Sequence, residues 1–140
     1  MTPAQVEMIR TSWTGVDPIA DVAATLFYER LFDLDPTLRR LFRRTDMAQQ
    51  KKILMQTLAV VVRSLDRLDQ LVPALEGLGR RHAGYGVRAA HYDTVGEALL
   101  WTLHEGLGDG FTPDVREAWA EAYYTLASVM IGAAQGEAAA

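Results

Sequence analysis

Apolar side chains recur along the chain at intervals of three and four. Val6, Ile9 and Trp13 form a first stripe, and Val22, Leu26, Phe27 and Leu31 a second. A short segment from Asp35 carries Leu38, Leu41 and Phe42. A longer one from about residue 46 carries Leu54, Leu58, Val61 and Leu65. A segment beginning near Asp69 carries Leu71, Leu75, Leu78 and His82, and another carries Tyr92, Val95, Leu99 and Leu103. Val115, Trp119, Ala122, Leu126 and Val129 mark the last. This is the period of helices buried on one side, and no stretch alternates with period two. The pattern predicts an all-α chain of six or seven helices.

Helix starts are marked independently. Four of the five prolines follow a residue able to cap: Thr2-Pro3, Asp17-Pro18, Asp35-Pro36 and Thr112-Pro113. A side-chain oxygen there accepts from an orphan N–H, and proline suits the first helical position. Thr2 with Gln5 also fits a capping box. Eight of the eleven glycines fall between Gly77 and Gly110, which predicts tight or irregular connections there. Residues 136–140 read as a fraying tail.

At 140 residues, with 49% hydrophobic and 23% charged side chains, residues 1–140 read as one globular domain. The absence of Cys excludes a disulfide scaffold and a thiolate metal site. The longest strictly apolar run, Leu58 to Val62, is far short of the roughly 20 residues of a membrane span. The first residues do not read as a signal peptide, so no membrane partner and a cytoplasmic location are expected. The net charge of −4 disfavours broad nucleic-acid binding. Against that balance, Arg39, Arg40, Arg43, Arg44, Lys51 and Lys52 make a local basic cluster. It reads as a solvated face, or as a docking patch for an acidic partner or bound anion.

One histidine stands out. His82 continues the 71, 75, 78 stripe and points inward just before Ala83-Gly84-Tyr85-Gly86, where the helix must end. Such a residue is either a satisfied core histidine or an axial ligand for a haem iron. Gln50 lies one turn before Leu54, at the mouth of an apolar face, where its amide meets either solvent or a ligand. Tyr28 sits beside the Phe27–Leu31 stripe, so its ring should be buried and its hydroxyl needs a partner. His91 and His104 read as surface residues. No histidine and carboxylate set has zinc spacing. Gly106-Leu107-Gly108-Asp109-Gly110 has no strand before it and reads as a turn.

Taken together, several segments resemble a known family. Phe27-Tyr28-Glu29-Arg30-Leu31-Phe32, Asp35-Pro36 and Leu41-Phe42 resemble the second helix and following corner of bacterial globins. Leu71-Val72-Pro73-Ala74-Leu75 and Leu78-Gly79-Arg80-Arg81-His82 resemble their proximal helix. The segments 92–100 and 118–123 resemble their last two helices. The match runs in order through essentially the whole chain, and is similar both to the globin module of flavohaemoglobins and to single-domain bacterial globins.

The resemblance implies a globin fold, a three-over-three helical sandwich around a haem pocket, with haem b (iron protoporphyrin IX) as cofactor. It implies His82 as the proximal iron ligand and Tyr28 and Gln50 as distal, ligand-stabilising residues. Phe42 would wedge the porphyrin, Leu54 would lie over the iron, and Tyr92 near the proximal side. Leu78, Arg81, Val87 and Val95 would complete the pocket. The implied function is reversible binding of O2 and related diatomics, CO and NO, with a role such as oxygen transport. The alternatives are nitric-oxide dioxygenase activity, hence nitric oxide detoxification, with an external reductase, and a globin-fold sensor or interaction module. Two departures matter. Flavohaemoglobins continue into flavin and nicotinamide domains, whereas this sequence ends at 140, so no reductase of its own is expected. Their proximal histidine is also backed by a tyrosine and a glutamate of the last helix; here Gly136 takes the glutamate position, with Glu137 beside it.

Overall fold

A computed structural model describes residues 1–136 in full and residues 137–139 as backbone. Six α-helices follow one another: α1 (Pro3–Val16), α2 (Ala20–Leu34), α3 (Met47–Arg63), α4 (Val72–Gly84), α5 (Ala89–Leu107) and α6 (Pro113–Ala139). A 3-10 segment lies in each connection except that between α4 and α5, and no strand occurs among the described residues. The helix α6 continues through the segment expected as a tail from Gly136; the side chains of 137–140, Glu137 included, lie outside the described residues.

Three of the four proline-marked caps form. Thr2 and Gln5 close a capping box, the threonine oxygen accepting from Gln5 N at 3.1 Å and Gln5 Oε1 accepting from Thr2 N at 2.9 Å. Asp35 accepts from Thr37 N at 3.0 Å, and Thr112 from Val115 N at 3.3 Å. Asp17 does not cap. Its backbone is still helical (φ −54°, ψ −43°) and its N–H bonds back to Trp13 O, whereas an N-cap needs an extended residue. A single 3-10 turn, Asp17–Ile19, therefore runs α1 almost directly into α2. Asp46 is extended and caps α3, accepting from Ala48 N at 3.0 Å and Gln49 N at 3.3 Å.

Val22 is a second correction. It is 58% exposed, while Ala23, Ala24, Phe27, Tyr28 and Leu31 form the buried face of α2. Five residues turn a helix through about 500°, so Val22 stands about 140° away from Phe27. The stripe runs through two alanines instead, and these small side chains let α2 lie close against α5.

The helices form the expected three-over-three arrangement, in which α2 packs on α5, α5 on α6, and α6 on α1 and α4. Ile9 of α1 and Leu103 of α5 are fully enclosed at its centre. Beside them the Trp119 indole donates to Ser12 Oγ at 2.8 Å, and Ser12 passes its own proton to Ile9 O at 2.9 Å. Arg10 closes the far end of α3, donating to the carbonyls of Val62 and Arg63 at 3.2 and 3.0 Å and pairing with Asp66 at 3.0 Å.

The most intimate helix pair is α4 with α6. Gly79 allows it: a Cβ there would stand 2.7 Å from the Met130 Cα. By contrast α3 leans on α2 and α1 and scarcely touches α4 or α5.

Candidate functional site

The sequence-predicted residues gather in two groups. The first is built on α2. Tyr28 is buried, with Phe27 edge-on at 5.0 Å and Phe42 edge-on at 5.6 Å between ring centres. Phe32 closes the aromatic group, 5.6 Å from Phe42. A phenol in such a box needs a polar partner. It finds Gln50, whose Nε2 donates to the Tyr28 oxygen at 3.1 Å. Asp46 makes this possible by fixing the first turn of α3, which sets the direction of Gln50. The bond uses an acceptor site on the phenol and leaves the O–H proton available for another group. Burial pushes the Tyr28 pKa up, partly offset by the Gln50 bond, so the phenol stays protonated and remains a donor. Leu54 and Val95 are half-buried and pack on this same cluster.

The second group is built on α4. His82 is half-buried in its last turn, and Nδ1 lies 2.8 Å from Leu78 O. A carbonyl only accepts, so Nδ1 carries the proton and Nε2 of the neutral ring keeps a free lone pair. Burial lowers the His82 pKa and the nearby Arg81 charge lowers it further, against the opposing Leu78 bond. The ring is therefore neutral at pH 7, the form that binds a metal. After His82 the chain turns through Gly86 at φ +95°, a conformation that favours glycine. Leu78 and Val87 pack with Tyr92 in a cluster that also holds Leu75, Ala127 and Met130.

The apolar core is thus divided. Tyr28, Phe42, Leu54 and Val95 belong to one cluster, Leu78, Val87 and Tyr92 to the other, and of the packed residues only Tyr123 and Leu126 touch both. Half-buried apolar side chains on each side are what a flat apolar group inserted between them would cover. Among the described residues no three His, Asp or Glu side chains converge. The His82 ring thus suits a metal that arrives with most of its ligands already in place. The residues present fit a porphyrin-held metal on both counts.

Tyr92 is buried, yet its hydroxyl has no partner among the described residues. It borders a cavity of about 280 Å³ with Gly79, Val87 and Ile131. The Tyr123 hydroxyl donates to the Tyr92 carbonyl at 2.6 Å, and burial drives the Tyr123 pKa far upward. Arg81 stays out of both clusters: it is exposed, with a guanidinium nitrogen near Gly77 on its own helix. A larger cavity, about 650 Å³, lies between α4 and α6 and is lined by none of the predicted residues. His104 is exposed as expected. His91 has a local duty, its Nδ1 accepting from Arg88 N at 2.9 Å to cap α5. Phe32 and Asp46 were not among the predicted site residues. The Asp46 cap was nevertheless readable, as an aspartate placed just before a helical stripe.

Comparison with known proteins agrees with this geometry. The family model described as Globin matches residues 25–130. A flavohemoprotein of Vibrio cholerae is 31% identical over 133 residues, which cover 94% of this chain and 34% of that protein. A flavohemoprotein of Bacillus subtilis is 29% identical over 129 residues, covering 91% of this chain and 32% of that protein. The chain thus spans about a third of these relatives. An engineered carbene transferase made from RmaNOD, named as a nitric oxide dioxygenase of Rhodothermus marinus, superimposes with a TM-score of 0.88 at 27% identity. That match covers 99% of this chain and 96% of the other.

Proposed function

The chain belongs to the globin family, and from that we propose that it holds haem b between α3 and α4 and reversibly binds O2, CO and NO there. The observation that carries the reading is half-buried His82, with Nδ1 tied to the Leu78 carbonyl at 2.8 Å and Nε2 left free. Leu78, Val87 and Tyr92 would support one face of the haem, and Phe42, Leu54 and Val95 the other. Bound there in ferrous form, the haem supplies one open coordination position for a diatomic ligand.

The remaining work falls to the distal pair. Tyr28 offers its O–H proton to the ligand, and Gln50 holds the Tyr28 oxygen from behind. A hydrogen bond of this kind is worth roughly 1–2 kcal/mol, or about tenfold in ligand release. O2 becomes polar when bound and gains most; CO stays nearly neutral and gains little. A visible spectrum of the purified protein, reduced and then exposed to CO, tests the haem reading directly. No Soret band after haem reconstitution would overturn it and leave a haem-free sensor or interaction module of globin fold.

A second reading, nitric-oxide dioxygenase activity with an external reductase, draws on the flavohemoproteins and on the Rhodothermus marinus protein. Sustained NO consumption with an added reductase tests it. No helix among the described residues is long and apolar enough to cross a membrane.

A further inference from the structure

The basic cluster singled out in the sequence plays no part in the haem and ligand chemistry above. Arg39, Arg40, Arg43, Arg44, Lys51 and Lys52 lie between residues 39 and 52, on the 3-10 turn Pro36–Phe42, the loop after it and the start of α3. Asp35 and Asp46 are the acidic residues of segment 35–52, and both carboxylates cap backbone N–H groups. The segment carries a net charge of +4 in a chain of −4, so the rest of the molecule carries −8. The ion pairs among the described residues lie elsewhere, at the amino terminus, Arg10 and Arg67. The four arginines and Lys52 are exposed, and Lys51 is half-buried.

The position of this corner matters as much as its charge. Phe42 reaches in from it to Tyr28. Leu41 lies against Gly86, just beyond His82, at 3.5 Å from a Cβ built there. Lys51 follows Gln50 directly. Arg39 stacks over Phe32 at 4.8 Å, and Phe32 packs on Phe42. The exposed cations therefore flank Phe42, Gln50 and the Leu41–Gly86 contact, beside both groups of the candidate site.

We propose that this corner is the docking surface for an acidic electron-carrier protein of flavodoxin type, which reduces the group held in the cleft. The inference rests on the haem reading. One electron leaves the reduced carrier and arrives in the cleft; no covalent bond forms or breaks. The +4 corner on a −8 body orients the encounter, since an acidic face is attracted to one end of the molecule and repelled by the remainder. Arginine also suits carboxylate recognition through its paired donors.

The test titrates the 15N-labelled protein, haem-free and haem-loaded, with oxidised bacterial flavodoxin at 20 and 300 mM NaCl. Expected are amide shift changes concentrated at residues 39–52, affinity at least tenfold weaker at the higher salt, and a further tenfold loss in R40E/R43E/R44E. Reduction of the ferric protein by flavodoxin hydroquinone should slow by the same factor in that variant, while reduction by photoreduced riboflavin, a small molecule with no acidic protein face, changes far less. Circular dichroism checks folding, and the single variant R44E gives the same direction if the triple variant unfolds. Shift changes mapping elsewhere, salt-independent binding, or preference for duplex DNA over flavodoxin would overturn the proposal. So would haem loss in the triple variant, which would assign these arginines to the haem carboxylates. If the protein takes up no haem, the proposal falls with the earlier reading. If it takes up haem and binds no flavodoxin, this proposal alone falls.

Discussion

The Gln50 amide donates to the Tyr28 hydroxyl oxygen at 3.1 Å, joining residues 22 positions apart. On the proposed reading the two side chains act in series: Gln50 holds the phenol, and the phenol would hold the ligand. Tyr28→Phe keeps the ring and its aromatic contacts, so it isolates the hydroxyl. O2 release should accelerate about tenfold, with faster autoxidation and a much smaller change for CO. Gln50→Leu should act in the same direction but less, and add almost nothing to Tyr28→Phe. Stopped-flow O2 release rates of the two single variants and the double variant decide it. Unchanged release in both single variants would sink the hydrogen-bonding mechanism.

His82→Ala should abolish most haem retention while leaving the helical content in place. The ring is half-buried at the end of α4 and its one polar contact is with its own helix. Its loss therefore removes the ligand without uncoupling two elements. The Soret band per mole of protein, read beside far-ultraviolet circular dichroism, checks both halves. A variant that kept haem with an unchanged ferrous spectrum would move the proximal assignment elsewhere.

The sequence displays some of this arrangement openly and hides the rest. Thr2, Asp35 and Thr112 could be read as caps because capping is local, settled within a turn. Asp17 has the same neighbours but fails, because whether a proline starts a new helix or bridges two depends on the preceding backbone. Val22 misled because Ala23 and Ala24, which carry the contact, have almost no hydrophobic signature. The Tyr28–Gln50 bond was not visible in either segment alone; only the family resemblance joined them. The Ser12–Trp119 bond, spanning 107 residues, left no trace at all.

That last bond should be felt in stability. Trp119→Phe removes the buried indole N–H with little change in packing class, and should cost about 1–3 kcal/mol. Ser12→Ala leaves the N–H buried without its acceptor and should cost at least as much as the bond itself, about 1–3 kcal/mol. Urea midpoints of both variants would test this, with the double variant costing less than the sum of the two.

Gly79→Ala should destabilise more than an exposed helical Gly→Ala change, which ordinarily stabilises. The added methyl would meet backbone, at 2.7 Å from the Met130 Cα, and backbone cannot rotate away. Overpacking of this kind costs typically about 1–3 kcal/mol. Gly84→Ala meets nothing within 4 Å and serves as the matched control. Thermal midpoints of the two should move in different directions or by clearly different amounts.

Asp35 gives the acid limb a specific contributor. The Thr37 hydroxyl, chiefly, holds its carboxyl below the usual carboxylate range. A carboxyl whose pKa is lower folded than unfolded stabilises above its unfolded pKa, and that stabilisation is lost as pH falls through the folded value. Asp35→Asn should therefore flatten the decline in thermal midpoint in acid and have its largest effect near neutrality. A decline as steep as in the parent protein would contradict the assignment.

The loose seating of α3 has a consequence for how the protein is made. Of the six helices α3 packs most sparsely on the others, so it is the element most cheaply released, and its amide hydrogens should exchange first in the haem-free chain. A molecule seated between the two apolar clusters would add contacts to α3, whose Leu54 packs on one of them. Uptake would then complete the fold as well as load it, and its free energy would appear as slower exchange along α3. On the haem reading, the supply of haem would govern how long each newly synthesised copy survives proteolysis.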